Sequence, residues 1–597
     1  MSVLTGSGFA QAQDYNNYLK FTVIGNNRLF DPRQPGEQAR FTATINNYRE
    51  RAQKDNACDP ITVLTPFPTT NDQPPPTGCK SSSHPSPTNT QFRTRYDPET
   101  DRYEIGYLRG VQRNQRKVRL GLFRKEPGGW TANAGYSCIW TIDGNLAAEN
   151  ESCRAFVTDL PVGHHTVDVE VFRAGQPVLK EEALDLDLRD FLIVALGDSF
   201  GSGEGNPHTH VVRSNAVPRL PRPRPAMWFS PRCHRSLITS SFLATHLLAD
   251  ANPDTSFSYL NFACSGAETG QGLLEPYYGR ETAFQTACAW NETSGAGKPG
   301  AGKPPADNLR DEGFFGSRNL KPFEWGRCAS HKKDKPAPDD LPSQFDALKT
   351  ELSCGNHPCR KPDAVLLYFG VNDIRFSDQL VKLILRCEKR PSCLLEQEAK
   401  VRSGVKQAVA NFARLARRLE TAGLAPEDKK HVYMMTYPNP LTRIVNGKLR
   451  LCDDTGISDG EDSNEVLGGL GRLIGIGISE AGAEWAVENI LAPLNLAIAK
   501  TADAQGWSTI DVEESAQGFG YCAKRRFFHT FGDSDAKQGR VFGNWVRSCD
   551  PVTHKCAAAK QASLPTGTMH PNYFGHRAVA SIIIDRLSRD LGLKFEY

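Results

Sequence analysis

The chain has 597 residues, too many for one compact core, so two or more domains are expected. Its 71 basic and 68 acidic residues nearly balance, which argues against nucleic acid or an anionic membrane as partner. No apolar run is long enough for a membrane-spanning helix.

The 16 cysteines are even in number, and several sit in near pairs: Cys58 and Cys79, Cys138 and Cys153, Cys354 and Cys359, Cys387 and Cys393, Cys549 and Cys556. None forms a Cys-x-x-Cys pair and no His-x-x-x-His run accompanies them, so no metal site and no cofactor is expected. They read as disulfides of an oxidising compartment, which predicts a secreted or periplasmic, cell-envelope protein. Ala10-Gln11-Ala12 has the small-x-small form of a signal cleavage site, although the apolar stretch before it is short and lacks a basic residue.

In chain order, residues 14 to about 55 are polar and mixed, with Phe41-Thr42-Ala43-Thr44-Ile45 as a candidate strand. Residues 56–95 are rich in Pro, Ser, Thr and Asn and read as a long loop, so 1–95 is taken as an N-terminal segment. Residues 96–190 read as antiparallel β: Val118, Leu120 and Leu122 alternate, as do Val167, Val169 and Val171, then Leu184, Leu186 and Leu188. The stretch Cys138-Ile139-Trp140 through Cys153 and Leu160 to Thr166 resembles immunoglobulin-like sandwich modules of bacterial extracellular proteins. Such a module serves a structural role or binds carbohydrate.

From residue 191 the pattern alternates strand and helix, as in an α/β layout around a parallel sheet. Short apolar runs occur at 191–195, 259–263, 364–369, 431–436 and 508–512. Val405, Ala408, Val409, Phe412, Leu415, Ala416 and Leu419 recur at helical spacing, and Gly423 ends that helix. A last helix from about Phe574 carries Ala578, Ile582, Ile583 and Leu587 on one face. Insertions fall near 291–345, 445–485 and 521–567. The phosphate-loop look of Gly297 to Lys303 is rejected, because Pro304 stands where Ser or Thr is required. The apolar, glycine-loosened stretch 464–479 is a candidate lid or a packed helix.

Chemistry gathers where strands end. The first run breaks into Gly197-Asp198-Ser199-Phe200-Gly201-Ser202-Gly203-Glu204-Gly205, at the edge where open α/β sheets bind ligands. Ser199 there is a candidate nucleophile; Asp198 or Ser199 as a helix N-cap is the competing reading. Ala263-Cys264-Ser265-Gly266-Ala267, Gly370-Val371-Asn372-Asp373 and His570-Pro571-Asn572 follow in order. They offer oxyanion donors and a base. His208 and His210 line the mouth or hold a metal; His576 belongs to the surface or to packing; Glu204 and Asp373 hold loops.

These four blocks in this order, with Cys233-His234-Arg235-Ser236 between the first two, resemble the SGNH (GDSL-type) hydrolases, in particular the actinobacterial secreted lipase and esterase branch. The match runs over 191–597. It implies a flavodoxin-like three-layer α/β/α domain with a parallel sheet, preceded here by the all-β module. It implies carboxylic ester hydrolysis through an acyl-enzyme, with Ser199 as nucleophile and His570 as base. The oxyanion hole would comprise the Ser199 and Gly266 amides and the Asn372 side chain. It also implies a Cys233–Cys264 disulfide. The usual aspartate three residues before the histidine is replaced by Gly567. Its backbone carbonyl is the first candidate to orient His570, and Asp550 the second. An acyltransferase, a carbohydrate deacetylase guided by the β module, or a non-catalytic surface-binding protein are the alternatives. The expected partner is an ester or lipid, including acylated carbohydrate, and a monomer is expected.

Overall fold

The computed structural model describes residues 17–30, 36–54, 94–97, 102–103, 115–124, 136–210, 226–277, 341–354, 357–358, 360–376, 379, 389–453, 478–523, 525–538 and 567–595. The candidate signal, the Cys58/Cys79 and Cys549/Cys556 pairs, residues 291–340, most of the candidate lid and Asp550 lie outside them. Two compact units emerge, one of Met1–Arg28, Gly110–Phe191 and Asn252–Phe257, the other of Leu29–Arg109, Leu192–Ala251 and Ser258–Tyr597.

The first unit is antiparallel β. One sheet orders Asn17–Val23, Gln115–Arg124 and Phe156–Pro161 side by side. In the other, Tyr136–Ile142 lies between Asn145–Glu151 and Gly163–Arg173, and the latter pairs with residues 176–188 of the strand Gln176–Gly197. The alternating positions seen in the sequence supply one shared core: Val118, Leu120, Trp140, Val167, Val169, Leu186 and Leu188 are all buried in it. Cys138 and Cys153 are bonded, and Trp140 stacks on Phe156 with centroids 5.4 Å apart.

The second unit is built on a parallel sheet, as the alternating pattern predicts. Residues 193–197 run parallel to Ala364–Tyr368, which runs parallel to Val432–Met435, which runs parallel to Ser508–Ile510. The runs are apolar without alternation because these strands are buried on both faces. Helix Pro391–Thr421 turns Val401, Gly404, Ala408, Phe412, Leu415 and Leu419 inward, while Val409 is exposed. Helix Tyr573–Leu591 packs on Ser240–Ala251 and buries Ala578, Ile583, Ile584 and Leu587.

One expectation fails. Phe41–Ile45 is not a strand but part of helix Glu37–Lys54. Its β-branched residues suggest extension locally, yet Phe41 and Ile45 are four apart and both buried, so one helical face collects them. The Phe41 ring meets Phe30, Phe242 and His246 at 4.8–5.7 Å. Tertiary burial outweighs propensity here. Among the described residues, no helix is long and apolar enough to cross a membrane.

Candidate active site

The Gly197-Asp198-Ser199 turn is made by close packing at glycine. Gly197 closes the strand with its N–H and carbonyl both held by the Gln344 side chain, at 2.9 and 2.8 Å. A Cβ on Gly201 would come within 3.1 Å of the Ala263 methyl, so the short helix Ser199–Ser202 lies flat against the next strand end. Asp198 caps this helix by accepting the Phe200 N–H at 2.9 Å. That settles the local competition: Asp198 does the capping, and the Ser199 hydroxyl has no hydrogen-bond partner among the described residues. Gly203, with φ at +83°, ends the turn in the left-handed region.

Asp198 is wholly buried and accepts a second bond, from the Tyr437 hydroxyl. Burial pushes its carboxyl up to about 7, against the opposing pull of the bonds from Tyr437 and the Phe200 amide. Asp373 is likewise pushed up to about 7 by burial, despite bonds from the Thr269 hydroxyl and N–H.

Such acids keep their proton in the folded chain where the unfolded chain has lost it, so stability falls as pH rises from about 4 to about 7. In Asp198→Asn the share of that fall due to Asp198 is expected to vanish. Urea unfolding at intervals between about pH 4 and pH 7 reads it as a shallower dependence than in the parent. Parallel curves would contradict the assignment.

The second block makes a tight turn. Gly266 has φ at +82°, and the turn around it is pinned by the Cys233–Cys264 disulfide. The Ser265 N–H donates to the Cys233 carbonyl and the Ala267 N–H to that of Cys264, both at 3.0 Å. The Gly266 N–H itself takes no partner among the described residues. Asn372 sits beside it: one Nδ2 hydrogen goes to the Ala267 carbonyl at 2.9 Å, which leaves the other to donate. The blocks are laced together again through Asp373, Thr269 and Asn411, whose Nδ2 donates to Thr269 Oγ1 at 3.0 Å.

His570 comes from a strained loop. Met569, just before it, has φ at +62°. The ring Nδ1 lies 3.2 Å from the Thr568 carbonyl. The Gly567 carbonyl, the expected orienting group, accepts the His570 backbone N–H at 3.1 Å. An imidazole that donates from Nδ1 to Thr568 carries its lone pair on Nε2. Phe200, next to Ser199, holds its ring 5.2 Å from the imidazole centroid.

There is no room for a side chain at Gly567. A Cβ there would fall 2.7 Å from both Gln538 Oε1 and Gly205 Cα, and 2.8 Å from Ser534 Oγ. Gln538 fills that space and bonds both sides, accepting the Gly567 N–H at 3.1 Å and donating to Glu204 at 2.6 Å. Glu204 also meets His234 Nδ1 at 2.9 Å, so it holds loops, and Asp373 does the same.

His208 is buried, and its Nε2 accepts the Leu237 N–H at 3.1 Å, which removes that nitrogen as a ligand atom. Burial pulls its pKa and that of His210 down to about 4. No group of three or more metal-ligating side chains gathers among the described residues. His576 is buried against Ser240, at 3.0 Å, with its pKa pulled down to about 3 by burial.

Three supporting residues escaped sequence reading. Tyr437 accepts the Val371 N–H at 3.2 Å while donating to Asp198, so one hydroxyl spans the Ser199 turn and the Asn372 turn. It follows a strand end, and the carboxyl-edge rule points to such positions. His529 pairs its backbone with both neighbours on the base loop: its N–H donates to the His570 carbonyl at 2.9 Å, and its carbonyl accepts from Met569 at 3.0 Å. Gln538 lies in an insertion with no motif, and no sequence signal marks it.

No family model matches the chain, and neither does any curated protein. Among solved structures it is similar to the extracellular lipase of Streptomyces rimosus, at 16% identity and a TM-score of 0.33, over 66% of this chain and 99% of that one. It is similar to phospholipase A1 of Streptomyces albidoflavus NA297, at 14% identity and 0.32, over 66% and 98%. A third similarity is to a family two carbohydrate esterase of Clostridium thermocellum, at 10% identity and 0.24, over 77% and 86%. At such scores these likenesses carry no argument, and the functional reading stands on the geometry.

Proposed function

We propose that the chain is a serine ester hydrolase working through an acyl-enzyme on Ser199. The observation that carries the reading is the division of labour at the turn. Asp198 caps the helix and frees the Ser199 hydroxyl, while the Gly266 amide stands unpaired beside a half-used Asn372 amide. Ser199 Oγ attacks the ester carbonyl and passes its proton to His570 Nε2. The oxyanion is met by the Ser199 and Gly266 amides and Asn372. The tetrahedral intermediate collapses, the alcohol leaves with the proton from His570, and water repeats the sequence in reverse roles. The Thr568 carbonyl holds the tautomer, although a dipole stabilises the imidazolium less than a carboxylate does.

The disulfides support an exported protein, since such bonds persist in oxidising compartments. The strand order of the first unit, three strands in one sheet and four strands side by side in the other, supports an immunoglobulin-like module.

A fluorophosphonate probe tests the reading directly, because it phosphonylates only an activated serine. One adduct on the peptide holding Ser199 is the expected result by mass spectrometry. A folded chain that stays unlabelled would refute the proposal.

A further inference from the structure

The loop that carries His570 is tied, on both sides of the histidine, to the turn that carries Ser199. Glu204, Gly205 and Asn206 make the seat. They are fixed to Ser199 itself: its carbonyl accepts the Gly203 and Glu204 N–H groups at 3.2 and 3.1 Å, and the Asn206 N–H donates to the Gly203 carbonyl at 3.1 Å. Before the histidine, the Gly567 N–H is held by Gln538, which bonds in turn to Glu204. After it, Asn206 Nδ2 donates to the Pro571 carbonyl at 2.9 Å.

The Asn206 amide also reaches the strand of chain that backs the base loop. Besides the Pro571 carbonyl, its Nδ2 has those of Gly203 and Glu204 at 3.4 and 3.5 Å. Carbonyls only accept, so the amide nitrogen faces them and Oδ1 turns to His529 Nε2, 3.1 Å away. Burial holds the His529 pKa well below the usual imidazole range, so this ring is neutral and carries its hydrogen on Nε2. The His529 backbone pairs with Met569 and His570. Its ring fits only because residue 205 is glycine: a Cβ there, at a φ of +95°, would lie 2.5 Å from His529 Cδ2. One buried side chain, Asn206, thus fixes the chain both after the histidine and behind it.

The group facing Nδ1 shows why this anchoring matters. A carbonyl at 3.2 Å orients an imidazole less firmly than a carboxylate, which adds charge to direction. Placement of the ring then falls on the backbone that carries it. We propose that Asn206 is a positioning residue for His570 and holds the base at the distance from Ser199 that proton transfer requires. The proposal rests on Ser199 and His570 acting as nucleophile and base.

The test is Asn206→Ala, assayed with p-nitrophenyl acetate. Because a misplacement of about 1 Å can cost about 10²-fold in rate, kcat should fall by about tenfold or more while KM stays within about twofold. The same substitution in a His570→Ala background separates positioning from general damage. The residual rate there comes from the oxyanion hole and binding, and it should change by less than about twofold. Asn206→Ser, whose hydroxyl and vacated space admit a bridging water, keeps the test open if the alanine variant does not fold, and should lower kcat by about threefold or more. A folded variant that kept over half of the wild-type kcat, or that lost as much without His570 as with it, would overturn the proposal. A wild type that neither hydrolyses the ester nor takes the fluorophosphonate would instead remove the nucleophile and base assignments, and the positioning role with them.

Discussion

Ser199→Ala is expected to lower kcat for a short p-nitrophenyl ester by about 10³- to 10⁶-fold with the fold intact. The Ser199 hydroxyl bonds to nothing among the described residues, and Asp198 does the capping, so deletion removes chemistry and leaves no unpaired partner behind. The melting temperature should therefore stay close to that of the parent. Asn372→Ala belongs to the same series with a smaller loss, about 10²–10³, because two backbone amides of the hole survive it. Under the proposed mechanism Ser199 and His570 act as one unit, so adding His570→Ala to Ser199→Ala should cost almost nothing more. If Ser199→Ala kept a tenth or more of the activity, the nucleophile would have to be sought elsewhere. If the double variant fell far below the single, His570 would have a role independent of Ser199.

The parts of this arrangement legible in the sequence are those with a short-range signal. Buried parallel strands announce themselves as apolar runs, and Ala364–Tyr368 and Val432–Met435 lie where those runs predict them. The strand Asn17–Val23 was not legible, because half of its residues are polar and only its pairing with Gln115–Arg124 defines it. The carbonyl beside His570 Nδ1 is that of Thr568, one residue from the one the sequence suggests. With Met569 in the left-handed region, the turn brings the Thr568 carbonyl to Nδ1 and commits that of Gly567 to the backbone N–H. No local pattern encodes that choice, since a methionine rarely adopts such a φ. Tyr437, His529 and Gln538 are linked to the site over separations of 239, 323 and 334 residues, through Asp198, Asn206 and Glu204 respectively. Periodicity carries no information about such contacts.

Gly404 turns this contrast between local and tertiary information into a test. It sits inside helix Pro391–Thr421, where glycine costs about 1 kcal/mol relative to alanine, so local reasoning makes Gly404→Ala stabilising. The structure predicts the reverse. A Cβ at 404 would lie 2.3 Å from the Asp373 carbonyl oxygen, 2.7 Å from its carbon and 2.9 Å from Ile374 Cα. All three are backbone atoms, so no side chain can swing aside. Helix or turn must move, and such overpacking costs about 1–3 kcal/mol, enough to cancel or exceed the propensity gain. The moving backbone adjoins Asn372, and a displacement of about 1 Å at an oxyanion donor can cost about 10²-fold in rate. Gly404→Ala should therefore lose kcat with little change in KM, and should unfold at the same or lower urea concentration than the parent. Ser403→Ala, on the exposed face of the same helix, is the control for propensity alone. A Gly404→Ala protein that gained stability and kept its kcat would show that the helix does not press on the Asn372 turn, and the hole would then need another support.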